Sequence, residues 1–209
     1  GLGAKSWAEN RLIAMVANCP ITIAYAVTFK PYHMAHHAQQ GDDGIDTDIP
    51  TYLEAWLISG TATSYVDHTC RKFVFMFCQI FGYALRPMIV KPDLVPVDRW
   101  ILLNWAVVLA FDAVILTCFG RSALLYLLLS TFFAGSIHPT AGHFIAEHYV
   151  FLDDVETYSY YGWLNIFCWN VGYHNEHHDF PKVPGWRLPE VRRIAPEFYN
   201  NLPQHKSWT

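Results

Sequence analysis

Six of the eleven histidines fall in two short windows: "YHMAHH", with His33, His36 and His37, and "VGYHNEHH", with His174, His177 and His178. Both windows read HxxHH. On a helix, positions i and i+4 share a face. His33 and His37 can therefore approach one metal ion together, and so can His174 and His178. The adjacent histidine, His36 or His177, turns about 100° from its neighbour and points at a different target. A lone histidine is most simply a core or surface residue, but two identical clusters in one chain point to metal binding. A third element, "GHFIAEHYVF", adds His143 and His148. Their five-residue spacing does not keep both on one helical face, so only one faces a metal unless the helix ends between them. His148 is the favoured ligand, and His143 stays a further candidate. His68 and His205 lie outside every cluster and are expected to be dispensable.

Imidazole suits zinc, copper, iron and nickel. A structural zinc site closes with four ligands, whereas this chain offers seven or eight. The surplus argues for two metals. Two chemistries then compete. Zinc would hydrolyse a polar bond through an activated water; iron would activate dioxygen and attack an unactivated C–H bond. Hydrolysis usually recruits a carboxylate, and Glu147 and Glu176 are at hand, so the residues alone leave the choice open. The acidic stretch "QQGDDGIDTDIP" (39–50) superficially resembles a calcium loop. It lacks the ordered alternation of ligands and the terminal Glu that such a loop needs, and the expectation is a solvated loop.

The elements that position these residues read as membrane helices. The chain is 53% hydrophobic and 16% aromatic but only 15% charged, against about a quarter charged in soluble domains. The net charge of −4, with no basic stripe, excludes nucleic-acid binding as a leading function. The clearest apolar run is "WILLNWAVVLAFDAVILTCF" (100–119), long enough to span a bilayer. A second, "SALLYLLLSTFFAGSI" (122–137), spans only if it continues a few residues further. Gly120 and Arg121 between them predict a transmembrane hairpin over 100–137. Of the 14 Lys and Arg, only Arg121 sits at that turn; the other 13 lie before residue 100 or after residue 181. Basic flanks favour the cytoplasmic side, so residues 1–99 and 138–209 are expected to be cytosolic or interfacial, with the turn lumenal. A cytosolic two-metal site fed from the bilayer implies a lipid substrate. The runs 11–29, broken by Asn18 and Pro20, and 73–90, carrying Gln79, Arg86 and Pro87, read as helices on or dipping into the membrane surface. Asp112, inside the first span, reads as a hydrogen-bonded or neutral structural carboxyl with a functional role as the alternative. The odd count of five cysteines, without CxxC spacing, reads as buried free thiols. The fold class is thus an all-α integral membrane protein: a helical hairpin with a cytosolic helical cap holding the histidine site.

At its histidine clusters the sequence resembles the integral-membrane fatty-acid desaturase and hydroxylase superfamily, which carries three histidine boxes, the second and third of HxxHH type. "HMAHH" (33–37) is similar to the second and "HNEHH" (174–178) to the third. "FKPYHMAHH", "GDDGIDTDIP", "HPTAGHFIAEHYVF", "ETYSYYGWLNIFCWNVGYHNEHHDFP" and "NLPQHKSW" together resemble, nearly end to end, the sphingolipid delta-4 desaturases, which convert dihydroceramide to ceramide. The resemblance implies two iron ions held largely by histidine: His33, His36, His37, His148, His174, His177 and His178, with His143 in reserve. It implies that two electrons, passed from NADH through a reductase and cytochrome b5, let the irons use dioxygen to remove two hydrogens from adjacent carbons of the long-chain base. The products are an alkene and water. It also implies residence in the endoplasmic reticulum membrane, multi-pass, with the histidine boxes facing the cytosol.

One feature departs from that family. Its first box, HxxxH on the preceding membrane helix, has no counterpart, since no histidine precedes His33. The first residue is Gly, not Met. The expectation is that residues 1–209 are a partial desaturase domain lacking the amino-terminal helices, which alone binds iron incompletely and turns over no substrate. Hydroxylation at C4, alone or beside desaturation, is the nearest alternative, followed by desaturation of ordinary acyl chains. "EHY" (147–149) is also shared with membrane alkane hydroxylases, whose flanking residues are not matched. A non-enzymatic membrane protein with one closed zinc site is the distant alternative.

Overall fold

The computed structural model describes residues 4–60 and 62–208. They form two compact units, residues 4–137 and residues 138–208.

The first unit opens with α1 (Trp7–Asn18), started by a capping box in which Ser6 and Glu9 satisfy each other's backbone amides. A 3-10 turn over Cys19–Ile21 contains Pro20 and ends at Thr22 in a left-handed conformation. α2 (Ala26–Ala38) then leaves at 106° to the preceding segment. The break is where the sequence reading places it, at Asn18 and Pro20, and the structure supplies the reason it is stable. The buried Asn18 side chain accepts hydrogen bonds from the amides of Tyr25 and Ala26 and donates to the carbonyl of Ile23. Asn104, buried on α5 (Arg99–Phe119), accepts from the amide of Val27 and donates to Asn18. Three amides that no helical turn can satisfy at the start of α2 are thereby paired. Met15, Val27 and Ile101 pack beside this polar knot as the core where α1, α2 and α5 meet.

A short α3 (Tyr52–Ala55) continues into a π-helical turn (Trp56–Gly60). α4 (Tyr65–Val90) follows, then α5, then α6 (Arg121–Ala134), which packs on α5 across the single residue Gly120. Three stretches are long and apolar enough to cross a membrane: Tyr65–Val90, Arg99–Phe119, and Arg121–Ala146, which runs past the end of α6. The bent pair Trp7–Ile21 and Ala26–Ala38 qualifies only as one broken span. Large side chains such as Leu102, Trp105 and Leu109 on α5 and Leu125, Leu128 and Phe133 on α6 point outward. The protein is a membrane protein.

The stretch 73–90 is the carboxyl-terminal part of one unbroken 26-residue helix, which has the length and apolarity of a span. Its polar residues are satisfied internally: Gln79 donates to the carbonyl of Gly135, and Arg86 is buried against Glu54. The loop at 39–50 is not simply solvated; Asp46 and Thr47 are buried within it. All five cysteines are free thiols; Cys19 is buried in the protein, and Cys70, Cys78 and Cys118 face outward from the apolar helices. On α5, Oδ1 of Asp112 is shielded from solvent without a hydrogen-bond partner, so of the two structural readings the neutral carboxyl remains.

The second unit begins with a 3-10 turn (Pro139–Gly142) and the four-residue α7 (His143–Ala146). β1 (Ser159–Tyr160) pairs in parallel with β2 (Gln204–His205), which ties the carboxyl-terminal segment to the middle of the unit. α8 (His174–Asp179), α9 (Leu188–Ile194) and α10 (Pro196–Tyr199) complete it. Its core is Ala146, Tyr160, Leu164 and Trp208, with Tyr160 and Trp208 rings 4.3 Å apart.

Candidate metal centre

Each unit carries its own set of histidines. In the first, α2 stacks His33 and His37 one turn apart, and their Nε2 atoms lie 3.1 Å from each other. Both outer rings are held from behind. Nδ1 of His33 bonds Asp48 at 2.6 Å, and Nδ1 of His36 bonds Asp46 at 2.8 Å. A carboxylate on Nδ1 fixes the tautomer and directs Nε2 toward a metal. The His36–Asp46 pair is buried. Burial pushes the Asp46 carboxyl up. The hydrogen bond to His36, and those from the amides of Gly41 and Asp48, outweigh burial and hold it below the usual carboxylate range.

In the second unit, α7 ends at Ala146, so His148 leaves the helix that carries His143. That break resolves the five-residue spacing. Nδ1 of His148 donates to the carbonyl of Glu156 at 3.1 Å, and its Nε2 lies 2.8 Å from Nε2 of His174. Nε2 of His178 is 3.2 Å from that same atom, and one ligating nitrogen from each of the three rings lies within 4.8 Å of the others. His177 turns aside, its ring centroid 5.7 Å from that of His174 and 5.8 Å from that of His178. His143 is not in this cluster. It bonds Glu147 at 2.9 Å, and Glu147 in turn lies 3.7 Å from Nδ1 of His174.

Two imidazole nitrogens this close share either a proton or a metal. With about 2.1 Å from metal to nitrogen, cis ligands of an octahedral site stand about 3.0 Å apart and tetrahedral ones about 3.4 Å. The observed 2.8–3.2 Å is of the order of the spacing between neighbouring ligands of one metal ion.

The two carboxylates that left hydrolysis open are otherwise engaged. Glu176 is fully buried, accepting from Ser159 Oγ at 3.0 Å and Tyr161 OH at 2.9 Å. Burial pushes its pKa up, and burial also raises that of Tyr161. Ser159 Oγ further accepts from the amide of Asn175, so the one cluster fixes the start of α8. Glu147 is committed to His143. Asp46, Asp48, Ser159 and Tyr161 were not legible as site residues. No spacing rule joins Asp46 to a histidine ten positions away; the only signal was the alternation of Asp46 and Asp48 in "DTD". His205 also does more than its position outside the clusters indicates: its Nε2 bonds the carbonyl of Ala146 at 2.8 Å, two residues before His148.

Apolar helices carrying two sets of carboxylate- and carbonyl-backed histidines define a class of membrane metalloprotein. The family model for Fatty acid desaturase matches residues 3–208, and the chain belongs to that family. The chain is 51% identical over 200 residues to "Sphingolipid delta(4)-desaturase DES1-like" of Oryza sativa subsp. japonica, covering 96% of this chain and 58% of the relative. It is 51% identical to "Sphingolipid delta(4)-desaturase DES1" of Drosophila melanogaster (96% and 60%). With "Sphingolipid delta(4)-desaturase/C4-monooxygenase DES2" of Homo sapiens it shares 49% identity (96% and 59%). The chain thus spans about three fifths of the length of these relatives. No solved structure matches.

Proposed function

We propose that the protein is a di-iron sphingolipid delta-4 desaturase that converts dihydroceramide to ceramide. The observation that carries this reading is the pairing of ring nitrogens at 2.8–3.2 Å in both histidine sets, each backed by a carboxylate or carbonyl. The names of the relatives supply the substrate class. The proposed ligands are His33, His36, His37, His148, His174, His177 and His178. His143 is treated as a positioning residue, because it stands outside the cluster of His148, His174 and His178 and bonds Glu147, which lies 3.7 Å from His174.

Iron supplies the activation of dioxygen that lets an unactivated C–H bond be broken. The chain's own residues supply the rest. Asp48 and Asp46 orient His33 and His36; Glu156 orients His148; Glu176 with Ser159 and Tyr161 holds α8. Glu147 and Glu176 are withheld from general-base work, which disfavours hydrolysis. Electrons come from NADH through cytochrome b5 and its reductase.

The topology follows from parity. For both histidine sets to face the cytosol, an even number of crossings must separate residue 37 from residue 148. Three helical stretches between them are long and apolar enough to cross. α5 and α6 form the transmembrane hairpin. α4 lies along the membrane surface, in keeping with the Asp67–Arg71 ion pair in its first turns, in the endoplasmic reticulum. A glycosylation site inserted beside Arg121 should be modified and one near residue 195 should not; the reverse pattern overturns this topology.

Hydroxylation at C4 is the second reading, and the printed name of the human relative favours keeping it. Expression in cells lacking both activities, fed isotope-labelled dihydroceramide, separates the two. The expected product is labelled ceramide with a delta-4 double bond. A C4 alcohol alone would assign the protein to hydroxylation, and neither product would reject both readings.

A further inference from the structure

We infer that Arg86, on the apolar helix α4, is a positioning residue for the α2 histidines and acts through the acidic segment 46–54. The inference rests on the reading of His33 and His36 as iron ligands.

Arg86 is buried, and its donors all converge on that segment. Nε and Nη2 form a two-pronged pair with Glu54 at 2.8 and 2.9 Å. Nη1 donates to the carbonyl of Thr47 at 3.0 Å and reaches that of Asp48 at 3.5 Å. Thr47 stands between Asp46 and Asp48, whose carboxylates hold His36 and His33. One guanidinium therefore grips the backbone between the two carboxylates that aim the histidines. Glu54 is gripped from its other side, where the amide and hydroxyl of Thr51 both donate to Oε2. The surface of α4 is shaped for this approach. Gly82, one turn before Arg86, leaves room where a Cβ would stand 3.1 Å from Oε1 of Glu54. Tyr83 OH reaches Asp48 at 3.5 Å.

The competing explanation is that Glu54 simply neutralises a charge on an apolar helix. Removing Arg86 alone strands Glu54 and lowers stability on either explanation; only a positioning role also changes the metal site, and Lys, a point charge without the planar fork, should then restore only part of it.

The test uses the intact protein in detergent with Arg86→Met, Arg86→Lys and Gly82→Ala. The readouts are cobalt(II) affinity, the cobalt absorption bands, and kcat separated from KM. Arg86→Met is expected to weaken cobalt binding by about 10–100-fold, the range for lost orienting partners, to shift the bands, and to lower kcat with KM unchanged. Arg86→Lys should fall between Arg86→Met and the parent. Should Arg86→Met fail to fold, Gly82→Ala decides the matter: it keeps every charge, presses on Glu54, and should still shift the bands and weaken cobalt binding several-fold. Parent-like affinity and bands in Arg86→Met, or in Gly82→Ala where the former does not fold, overturn the inference. If His33→Ala and His36→Ala also leave cobalt binding intact, the metal reading itself fails. If they abolish it while the Arg86 and Gly82 variants do not, only the role of Arg86 falls.

Discussion

A histidine becomes a dependable ligand when its far nitrogen is already occupied. His33, His36 and His148 meet that condition through Asp48, Asp46 and the carbonyl of Glu156. His143 has its Nδ1 occupied by Glu147 as well, but it stands outside the cluster of His148, His174 and His178. His148→Ala should therefore abolish turnover and iron retention. His143→Ala should keep activity within about tenfold, the low end of the cost of losing an orienting partner. Assay of the purified variants for iron and labelled-product formation checks both; equal losses would return His143 to the ligand set. Asp46→Asn should cost about 10–100-fold in metal affinity, by the same measure. At this scale the clusters themselves were legible, because i and i+4 spacing is written in the sequence. Their partners were not: Asp46 and Asp48 reach back across a loop to which the distant Arg86 hydrogen-bonds, and acidic residues in a loop read by default as solvated.

Elements differ in how much of their role is local. Gly120 joins α5 to α6 at φ 86° and ψ 174°, a conformation open almost only to glycine. The turn was therefore legible from the Gly-Arg pair between two apolar runs. Gly120→Ala should cost about 1–3 kcal/mol, read as a lowered unfolding temperature in detergent. α4 was less legible. Gln79 and Arg86 argued for an interrupted helix, yet Gly135, Glu54 and Thr47 satisfy them from distant parts of the unit, and sequence spacing carries no trace of that. The Glu54 partnership has a pH signature. Burial pushes its carboxyl up, but the Arg86 and Thr51 hydrogen bonds hold it below its ordinary value of 4.5. Its contribution to stability is complete above that value and is lost as pH falls through the lowered native one. The unfolding-temperature gap between the parent and Glu54→Gln should be widest near neutrality and narrow as pH falls below the ordinary carboxylate range. A gap that persists in acid would contradict the pairing.

At the scale of the molecule, each unit completes its own scaffold. Residues 138–208 close on themselves through the β1–β2 pairing, with Trp208 packed in the core and His205 bonded to Ala146. Trp208→Ala should destabilise by about 3–5 kcal/mol, as for large aromatic truncations, and should loosen the segment after α7 that carries His148. Increased amide exchange around residues 146–148 would register it. The helical membrane class was legible from composition and run length. The division into two units and the carboxyl-terminal strap were not, since a two-residue strand has no period to detect. The central claim, that these histidine sets hold two irons, is tested most directly by metal analysis of the purified, active protein. The account predicts two irons per chain, lost on replacement of His174 by Ala. One tightly bound zinc with no iron, or two irons retained in His174→Ala, would contradict it.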